Sequence, residues 1–423
     1  MKHPIDNESL YSLLNQAKMK GLFIDFVRKY YNLTFPQLSR TSLRKLFLLF
    51  FVAVAYIFYK HRKQRCRKVF KRTERNIDII NNLLPIIKNY KPTPYLPWAI
   101  VQILYGELVN KQLYEFEKEV ITLPDDGELL LEWFPNNFAE MDPQTPIIIF
   151  NFGVCGTSKD SYYQILCNHI SKKNWRMVAV NRRGFGFNHL KSTKFIYKNE
   201  TADLDFVSNR LKEIYPQANL YMMGVSAGAN HAANYLGKIK DNTPIKAFVG
   251  ISNPFNVGRI SFTMKHNIWG AFYSRLIARN MKELYRFHFN NHHFQHIVKH
   301  HKLNIDTLEK KLEQKETCWE IDKFLTHKLG GFDTVYDYYI DISSEHVIED
   351  IKVPSLFISN EEDPICLKEN IPIEKIYKNE NTILLFMERG GHVEYFSGYK
   401  AERWCYDAAL HYLDYFEQSE TAK

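Results

Sequence analysis

One short segment combines a nucleophile with a backbone setting that could activate it. Residues Gly224–Gly228, with the sequence GVSAG, follow an apolar run and precede a helix-compatible stretch. They match the G-x-S-x-G pattern, in which a serine lies at a tight turn between a strand and a helix. Only glycine at the flanking positions lets strand and helix approach so closely, and the helix N-terminus directs its amides toward the reacting oxygen. The pattern predicts Ser226 as a nucleophile.

A serine nucleophile needs a general base, and the base needs an acid that orients it. With this pattern the acid follows the serine in the chain and the histidine comes last. Glu362 and Asp363 follow one apolar run, and His392 follows the next one. Both positions lie beyond strand ends, where an open α/β sheet presents its site. We choose Asp363 because aspartate is the commoner acid and the proline after it favours a turn, so the predicted triad is Ser226, Asp363 and His392.

Acyl transfer at a serine also requires hydrogen-bond donors for the oxyanion. The first donor that we expect is the amide of Ala227, at the start of the helix after the nucleophile. The second is expected in the loop after the apolar run Ile147–Phe152. There Gly153 would let the backbone turn the N–H of Val154 toward the substrate, although the loop could also be an ordinary glycine-rich connection.

Alternating strands and helices must position these residues. Apolar, β-rich runs occur at Ile147–Phe152, Met177–Val180, Leu220–Met223, Ala247–Ile251, Ser355–Ser359 and Thr382–Met387. Helix-compatible stretches separate them, a pattern that predicts a mostly parallel central sheet covered on both faces. About a hundred residues separate Ser252 from Pro354, too many for a simple crossover. They predict a helical cap at about residues 255–345, inside a catalytic domain that spans residues 81–420.

The charge of the chain is concentrated in one place. The net charge is +9, and nine basic residues against one acid between Lys60 and Arg75 account for +8 of it. The rest of the chain is nearly neutral, which excludes nucleic acid as a partner. With 45% hydrophobic and 24% charged residues the chain is not a disordered one. Its six scattered cysteines exclude a disulfide scaffold.

An uncharged apolar run, Leu46–Tyr59, lies directly before the basic residues. As a helix it would span about 21 Å at ~1.5 Å per residue, which is less than the ~30 Å hydrocarbon core. The flanking Arg44, Lys45 and Lys60 can snorkel and extend it. We predict a single-pass transmembrane anchor at residues 46–59, after an N-terminal extension (1–45) and before a basic juxtamembrane segment (60–80). The alternative is a buried core helix.

The basic segment predicts the side of the membrane on which the catalytic domain lies and the lipid that the protein contacts. The positive-inside rule favours the cytosolic side for the segment and for the catalytic domain that follows, with the lumenal side as the open alternative. Lysines and arginines next to a bilayer attract anionic lipid, at ~1 kcal/mol each. We therefore predict an anionic membrane surface as a partner. The sequence does not identify the organelle, for which the endoplasmic reticulum is favoured.

A set of short motifs extends from about Tyr90 to Trp404, roughly three quarters of the chain. The set comprises Pro92–Pro97 with Gln102, Asp126-Gly127 leading to Glu132-Trp133, Asn181–Gly184, Tyr215-Pro216, Ser252–Phe255, Tyr338-Tyr339 with Ser343-Ser344, Asp363-Pro364, and Gly390–His392 followed by Trp404. It resembles the fourth AB-hydrolase family, the membrane-anchored abhydrolase-domain lipases and esterases. The resemblance implies an α/β-hydrolase fold, the triad Ser226, Asp363 and His392, and ester substrates that are often lipids.

These features together predict a membrane-anchored serine hydrolase. Its substrate would be a lipid ester, either an acylglycerol or a phospholipid, cleaved through an acyl-enzyme without a cofactor or a metal. His292, His296 and His300 could share a helix face, but no cysteine or acid completes a zinc site nearby. One alternative is a catalytically silent scaffold or membrane-complex subunit, since Phe152 stands where the family usually has histidine. The other is an acyltransferase that excludes water.

Overall fold

The computed structural model describes residues 56, 64–109, 113–198 and 200–421. In these ranges a nine-stranded sheet forms the centre of the fold. Its strands are β1 (Cys66–Phe70), β2 (Glu117–Thr122), β3 (Glu128–Phe134), β4 (Ile147–Asn151), β5 (Arg176–Asn181), β6 (Leu220–Val225), β7 (Ile245–Ile251), β8 (Ser355–Asn360) and β9 (Thr382–Met387). A separate two-stranded ribbon pairs β10 (Phe396–Ser397) with β11 (Glu402–Arg403).

The strand order is β1-β9-β8-β7-β6-β4-β5-β3-β2. Strands β4 to β9 are parallel, and they are the six strands that the apolar runs predict. Strands β1, β2 and β3 pair antiparallel at the two sides of the sheet, and the apolar runs did not predict them. All parallel strands end at the same edge of the sheet, which we call the carboxyl edge.

Helices complete the fold on both faces of the sheet. They are α1 (Glu74–Asn89), α2 (Ala99–Leu108), α3 (Ser161–Lys173), α4 (Thr201–Ile214), α5 (Ala227–Ile239), α6 (Val257–His266), α7 (Ile268–His288), α8 (His292–His300), α9 (Ile305–Glu313), α10 (Cys318–Ile321), α11 (His327–Leu329), α12 (Val335–Ile342), α13 (Ile373–Lys378) and α14 (Trp404–Thr421).

Successive residues of a strand point to opposite faces of the sheet, and β4 shows this directly. Its Ile148 and Phe150 pack in one hydrophobic core with α1, α3 and α14. Its Ile147 and Ile149 pack in a second core with α4 and α5 on the other face. Because both faces are buried, the strand reads as a continuous apolar run.

The fold begins earlier than the predicted domain boundary at residue 81. Cys66–Phe70, in the predicted juxtamembrane segment, forms β1 and pairs antiparallel with β9. The next helix, α1, begins at Glu74, where the Thr73 side chain caps the amide of Asn76. Edge strands tolerate charged residues because one side of the strand faces solvent. The charged sequence CRKVF therefore forms an edge strand that an apolar pattern does not predict. Its partner strand lies more than 300 residues away in the chain.

Strand β1 also separates the basic residues. Near the start of β9, Lys71 Nζ lies 3.3 Å from Glu380 Oε2, and Arg75 donates to the Glu380 carbonyl at 2.7 Å. At the carboxyl edge, the Arg65 carbonyl accepts a hydrogen bond from the Glu388 amide at 2.9 Å. The basic residues therefore reach both edges of the sheet and are not gathered in one patch.

The cap lies between β7 and β8 and contains α6 to α12. The stretch Ile305–Phe324, whose sequence is compatible with one long helix, is divided in two: α9 ends at Glu313, and Thr317 caps α10 in a capping box with Glu320. A hydrophobic core of its own holds the cap helices together and includes Phe185 and Phe195 from the connection after β5. The cap therefore packs directly above the carboxyl edge.

No helix within the described ranges combines the length and apolarity needed to cross a bilayer. Apart from Tyr56, the predicted anchor at residues 46–59 lies outside those ranges.

The position of β1 yields a testable prediction about folding. A chain that begins at residue 81 lacks β1 and half of α1, so the edge of β9 is exposed. We expect this chain to be insoluble or to unfold at a much lower temperature than a chain that begins at residue 64. Circular dichroism during heating measures the difference. Equal unfolding temperatures would contradict the assignment of β1 to the folded core.

Candidate active site

Ser226 lies at the turn between β6 and α5, as the sequence pattern predicts. Its φ is +51° and its ψ is −127°, a conformation that non-glycine residues rarely adopt. The Ser226 amide donates to the carbonyl of Ile251 at 2.9 Å, which ties the turn to β7. A side chain on Gly228 would place its Cβ 2.2 Å from the Asn151 carbonyl oxygen. The glycine is therefore required for α5 to approach the end of β4.

The three side chains of the predicted triad form a continuous hydrogen-bonded chain. His392 Nε2 lies 2.7 Å from Ser226 Oγ, and His392 Nδ1 lies 2.9 Å from Asp363 Oδ2. An ionised carboxylate can only accept hydrogen bonds, so Nδ1 carries the proton and Nε2 accepts from the serine hydroxyl. This is the geometry in which a histidine can act as the base for a serine.

The loop after β8 distinguishes the two candidate acids. Asp363 is buried, and its Oδ1 accepts the amides of Ile365 at 2.8 Å and Cys366 at 2.9 Å. The Glu362 carboxylate lies 3.8 Å from the guanidinium of Arg389. The choice of Asp363 over Glu362 agrees with this arrangement.

Buried polar contacts hold the loop that carries His392. The side chain of Asn360, at the end of β8, donates to the Gly391 carbonyl at 2.6 Å and to the Tyr395 hydroxyl at 3.1 Å. The Val393 amide donates to Glu394 Oε2 at 3.1 Å, and Glu394 pairs with the buried Arg403. These contacts fix the backbone on both sides of His392, so the ring needs little further ordering to reach Ser226.

The environment of His392 changes its pKa. Burial on its own lowers the pKa of His392, but the nearby Asp363 carboxylate raises it by charge and by hydrogen bonding. The net direction is upward from the ordinary value of 6.5. A base whose pKa is raised accepts the serine proton more readily.

A small cavity lies beside the nucleophile. Its lining includes Phe152 and Gly153 after β4, Ala227 at the start of α5, and Arg182 and Phe185 after β5. Ala227 is the first residue of α5, where amides have no acceptor within the helix. The Ala227 amide therefore points beyond the N-terminal end of α5, as its predicted role as an oxyanion donor requires.

The second predicted oxyanion donor, Val154, lies in a turn closed by a 3.0 Å hydrogen bond from the Gly156 amide to the Gly153 carbonyl. Its role stays a prediction. The ring of Phe152 packs against Tyr163, with 4.9 Å between ring centroids, and against Phe150 at 5.4 Å. The phenylalanine therefore contributes packing to the core, where a histidine would present a polar group.

The triad region also contains the best arrangement for a metal in the described ranges. There, the one group of three potential ligands whose atoms lie within 4.8 Å of one another is Asp363, Cys366 and His392. Both ring nitrogens of His392 are already engaged, and burial raises the pKa of Cys366 well above its usual range. A neutral thiol and an engaged imidazole make poor ligands.

Sequence reasoning missed several residues of the site. Arg182 lies 3.3 Å from Glu200 and stacks over Phe185 at 4.3 Å, next to the cavity. Burial lowers the pKa of His231, a further cavity residue, to about 3, so the imidazole is neutral. The phenol oxygen of Tyr162 lies within 4.0 Å of the place that a Cβ on Gly153 would take. For Arg182 the motif Asn181–Gly184 was an available signal.

Comparison with known proteins shows which family the residues around this site match. Residues 146–397 match the family described as the alpha/beta hydrolase fold. The matched region begins one residue before β4 and ends in β10, so it contains all three triad positions.

Three of the relatives that share a quarter or more of their aligned residues with this chain are as follows. Monoacylglycerol lipase of Saccharomyces cerevisiae is 28% identical over 302 residues, which cover 71% of this chain and 64% of the yeast protein. An abhydrolase domain-containing protein of Dictyostelium discoideum is 28% identical, covering 83% and 90%. Phospholipase ABHD3 of Bos taurus is 27% identical and covers 74% of each chain.

The contact at Gly228 can be tested by substitution. In Gly228→Ala the new Cβ would lie 2.2 and 2.3 Å from two backbone carbonyl oxygens, which cannot rotate away. We expect a loss of about 3 kcal/mol or more in the free energy of unfolding. Gly258→Ala in α6 is the matched control, since its nearest neighbour is 3.5 Å away and alanine favours a helix by ~1 kcal/mol. Urea unfolding measures both; equal effects would contradict the close contact.

Proposed function

The chain belongs to the alpha/beta hydrolase fold family and is a carboxylic-ester hydrolase, and we propose that it is a membrane-anchored serine hydrolase of lipid esters. The observation that carries this proposal is the hydrogen-bonded chain from Ser226 through His392 to Asp363. Fold alone never fixes chemistry. A nucleophile, a base and an orienting acid in contact make acyl transfer the best-supported reaction.

The first half of the reaction forms an acyl-enzyme. The Ser226 oxygen attacks the acyl carbonyl carbon while its proton passes to His392 Nε2. Asp363 stabilises the imidazolium, and the amides of Ala227 and Val154 hold the negative oxygen of the tetrahedral intermediate. When the intermediate collapses, the ester C–O bond breaks and His392 gives its proton to the leaving alcohol.

The second half releases the acid. Water attacks the acyl-enzyme, and His392 Nε2 takes a proton from it. The new tetrahedral intermediate expels Ser226, which regains its proton from His392. The products are one carboxylic acid and one alcohol, and no cofactor is needed.

Two observations support a lipid ester as substrate. Phe185 belongs both to the cavity lining and to the hydrophobic core of the cap, so apolar cap residues adjoin the site. An acyl chain is favoured there because it leaves water, at ~25 cal/mol per Å² of buried apolar surface. The relatives named monoacylglycerol lipase and phospholipase support the same class.

Membrane anchoring by residues 46–59 remains part of the proposal. The run is apolar and has basic flanks, and only residues 60–65 separate it from β1. The anchor would keep the catalytic domain next to its substrates, on the cytosolic side by the positive-inside rule. Lys60–Arg67 would contact anionic lipid.

A series of soluble and dispersed esters tests the activity. Full-length protein is assayed on p-nitrophenyl esters from acetyl to palmitoyl, and the same series is run with Ser226→Ala. We expect kcat/KM to rise with acyl length, because the cap adjoins the site, and to fall by about 10⁴ or more in the variant.

The same series separates the alternatives. Activity that is equal in Ser226→Ala and wild type, or absent from both while the protein is folded, would favour the silent scaffold. Added alcohol that captures most of the acyl group without free acid would favour an acyltransferase.

The pH dependence gives a separate prediction. The base is active when neutral, so kcat/KM must fall as the pH is lowered through the pKa of His392. Because that pKa is raised above 6.5, we expect the acid-side midpoint above pH 6.5. Asp363→Asn removes the raising charge, so the midpoint should move lower while kcat falls by about 10⁴. A midpoint that does not move in the variant would contradict the pairing.

A further inference from the structure

We propose that the carboxyl edge of the sheet docks on the lipid bilayer through an apolar surface built by α2 and the hairpin of α6 and α7. We call this surface the docking face and define it by its exposed members Trp98, Leu108, Phe262 and Ile268. The docking goes beyond the proposed function, on which it rests for the anchor at residues 46–59 and for the ester assay used to detect it.

The route of the chain into the sheet supports this orientation. Strand β1 runs antiparallel to β9, and its first residue, Cys66, pairs with Met387, the last residue of β9. The chain therefore enters the fold at the carboxyl edge, the edge at which His392 follows β9. The Arg65 amide also lies 3.2 Å from Glu388 Oε2 at this edge.

The distance to the apolar segment is short. Leu46–Tyr59 ends six residues before β1 begins. Even a fully extended chain spans at most ~3.6 Å per residue, so Tyr59 lies within about 25 Å of Cys66. A bilayer that holds Leu46–Tyr59 is therefore close to the carboxyl edge, whereas the opposite edge is a strand length further away.

Helix α2 has an unusual composition for a surface helix. Its sequence is AIVQILYGEL, with Glu107 as its one charged residue. Gln102 and Ile103 are buried against the body, but Leu108 is 47% exposed and Trp98, directly before the helix, is 59% exposed. A helix that is apolar all round belongs in a core or in a membrane. Tryptophan next to such a helix is typical of a membrane interface.

The hairpin of α6 and α7 extends this surface. Ile103 of α2 packs in one hydrophobic cluster with Ile260 and Phe272 of the hairpin. On the outer side of the hairpin, Phe262 is 65% exposed and Ile268 is 58% exposed. Large apolar residues gathered on packed neighbouring elements mark an interaction surface.

The docking face adjoins the reacting groups. Ile103 Cγ1 would lie 3.1 Å from a Cβ on Gly391, the residue before His392. Cys366, whose amide donates to Asp363, belongs to the cluster that joins α2 to the hairpin. An ester leaving the bilayer at this face would meet the triad loops directly.

Charge supports a bilayer as the occupant. The basic residues at the carboxyl edge, Arg65 and Arg67, are exposed, and Lys60, Arg62 and Lys63 precede them. At the opposite edge Arg72 is also exposed, but Lys71 and Arg75 are engaged by Glu380 and Asn381. Anionic headgroups would therefore find available basic side chains on the docking side.

Full-length protein in vesicles of phosphatidylcholine with one fifth phosphatidylserine tests the docking. We compare hydrolysis of a long-chain fluorogenic ester held in the bilayer with that of soluble p-nitrophenyl acetate. In the double variant Phe262→Ser and Ile268→Ser we expect about tenfold lower kcat/KM on the bilayer ester and unchanged kcat/KM on the acetate. The matched control is Ile214→Ser with Tyr377→Ser, apolar residues that are 47% and 54% exposed beside the starts of β6 and β9, and it should change neither.

Quenching by brominated phosphatidylcholine gives an independent readout. Brominated lipid should quench part of the tryptophan fluorescence, and Trp98→Phe should reduce that quenching, with the partly buried Trp269 beside Ile268 contributing the remainder. Equal quenching with and without Trp98, together with equal bilayer activity in both double variants, would overturn the docking. The docking would also be overturned if the wild type forms a dimer that the docking-face variant does not form, while the activity of the variant on the bilayer ester is unchanged. A second copy of the chain would then cover the docking face. If the wild type does not hydrolyse even p-nitrophenyl acetate, the proposed function is wrong. The fluorescence quenching then tests the docking on its own.

Discussion

The close contact between the start of α5 and the end of β4 is the constraint on which the rest of the site depends. Gly228 brings helix backbone so near to the carbonyls of Asn151 and Phe152 that no other side chain fits. The same turn holds Ser226 at a positive φ, which lifts its hydroxyl out of the sheet toward His392. The first amide of α5 and the loop after β4 are thereby brought together, as oxyanion stabilisation requires.

The acid and the base come from loops far along the chain, and buried polar contacts align them with this turn. Asn360 binds the backbone of the His392 loop, and two amides hold Asp363. Such networks are costly when incomplete, because a buried polar group without a partner is strongly unfavourable. The fold therefore positions the triad before a substrate arrives.

The central parallel strands, and the convergence of Ser226, Asp363 and His392 at their carboxyl edge, could be predicted from sequence, because buried strands are continuous apolar runs and Ser226 has an exacting local pattern. Strand β1 could not, because its charged residues suit an edge and its partner is distant in sequence. The break after Glu313 depends on a cap at Thr317 that a long helical pattern conceals. The motif Asn181–Gly184 was a signal for Arg182, but His231 joins the cavity only through tertiary packing, which no local spacing encodes.

A strained Ser226, the hydrogen-bonded His392 and an apolar cap meet at one edge of the sheet, where we propose that ester hydrolysis takes place. The most direct test is to label the full-length protein with a fluorophosphonate probe and map the modified peptide by mass spectrometry. The account predicts one covalent adduct on Ser226, absent from Ser226→Ala. Failure to label the folded protein, or equal labelling of the variant, would contradict it.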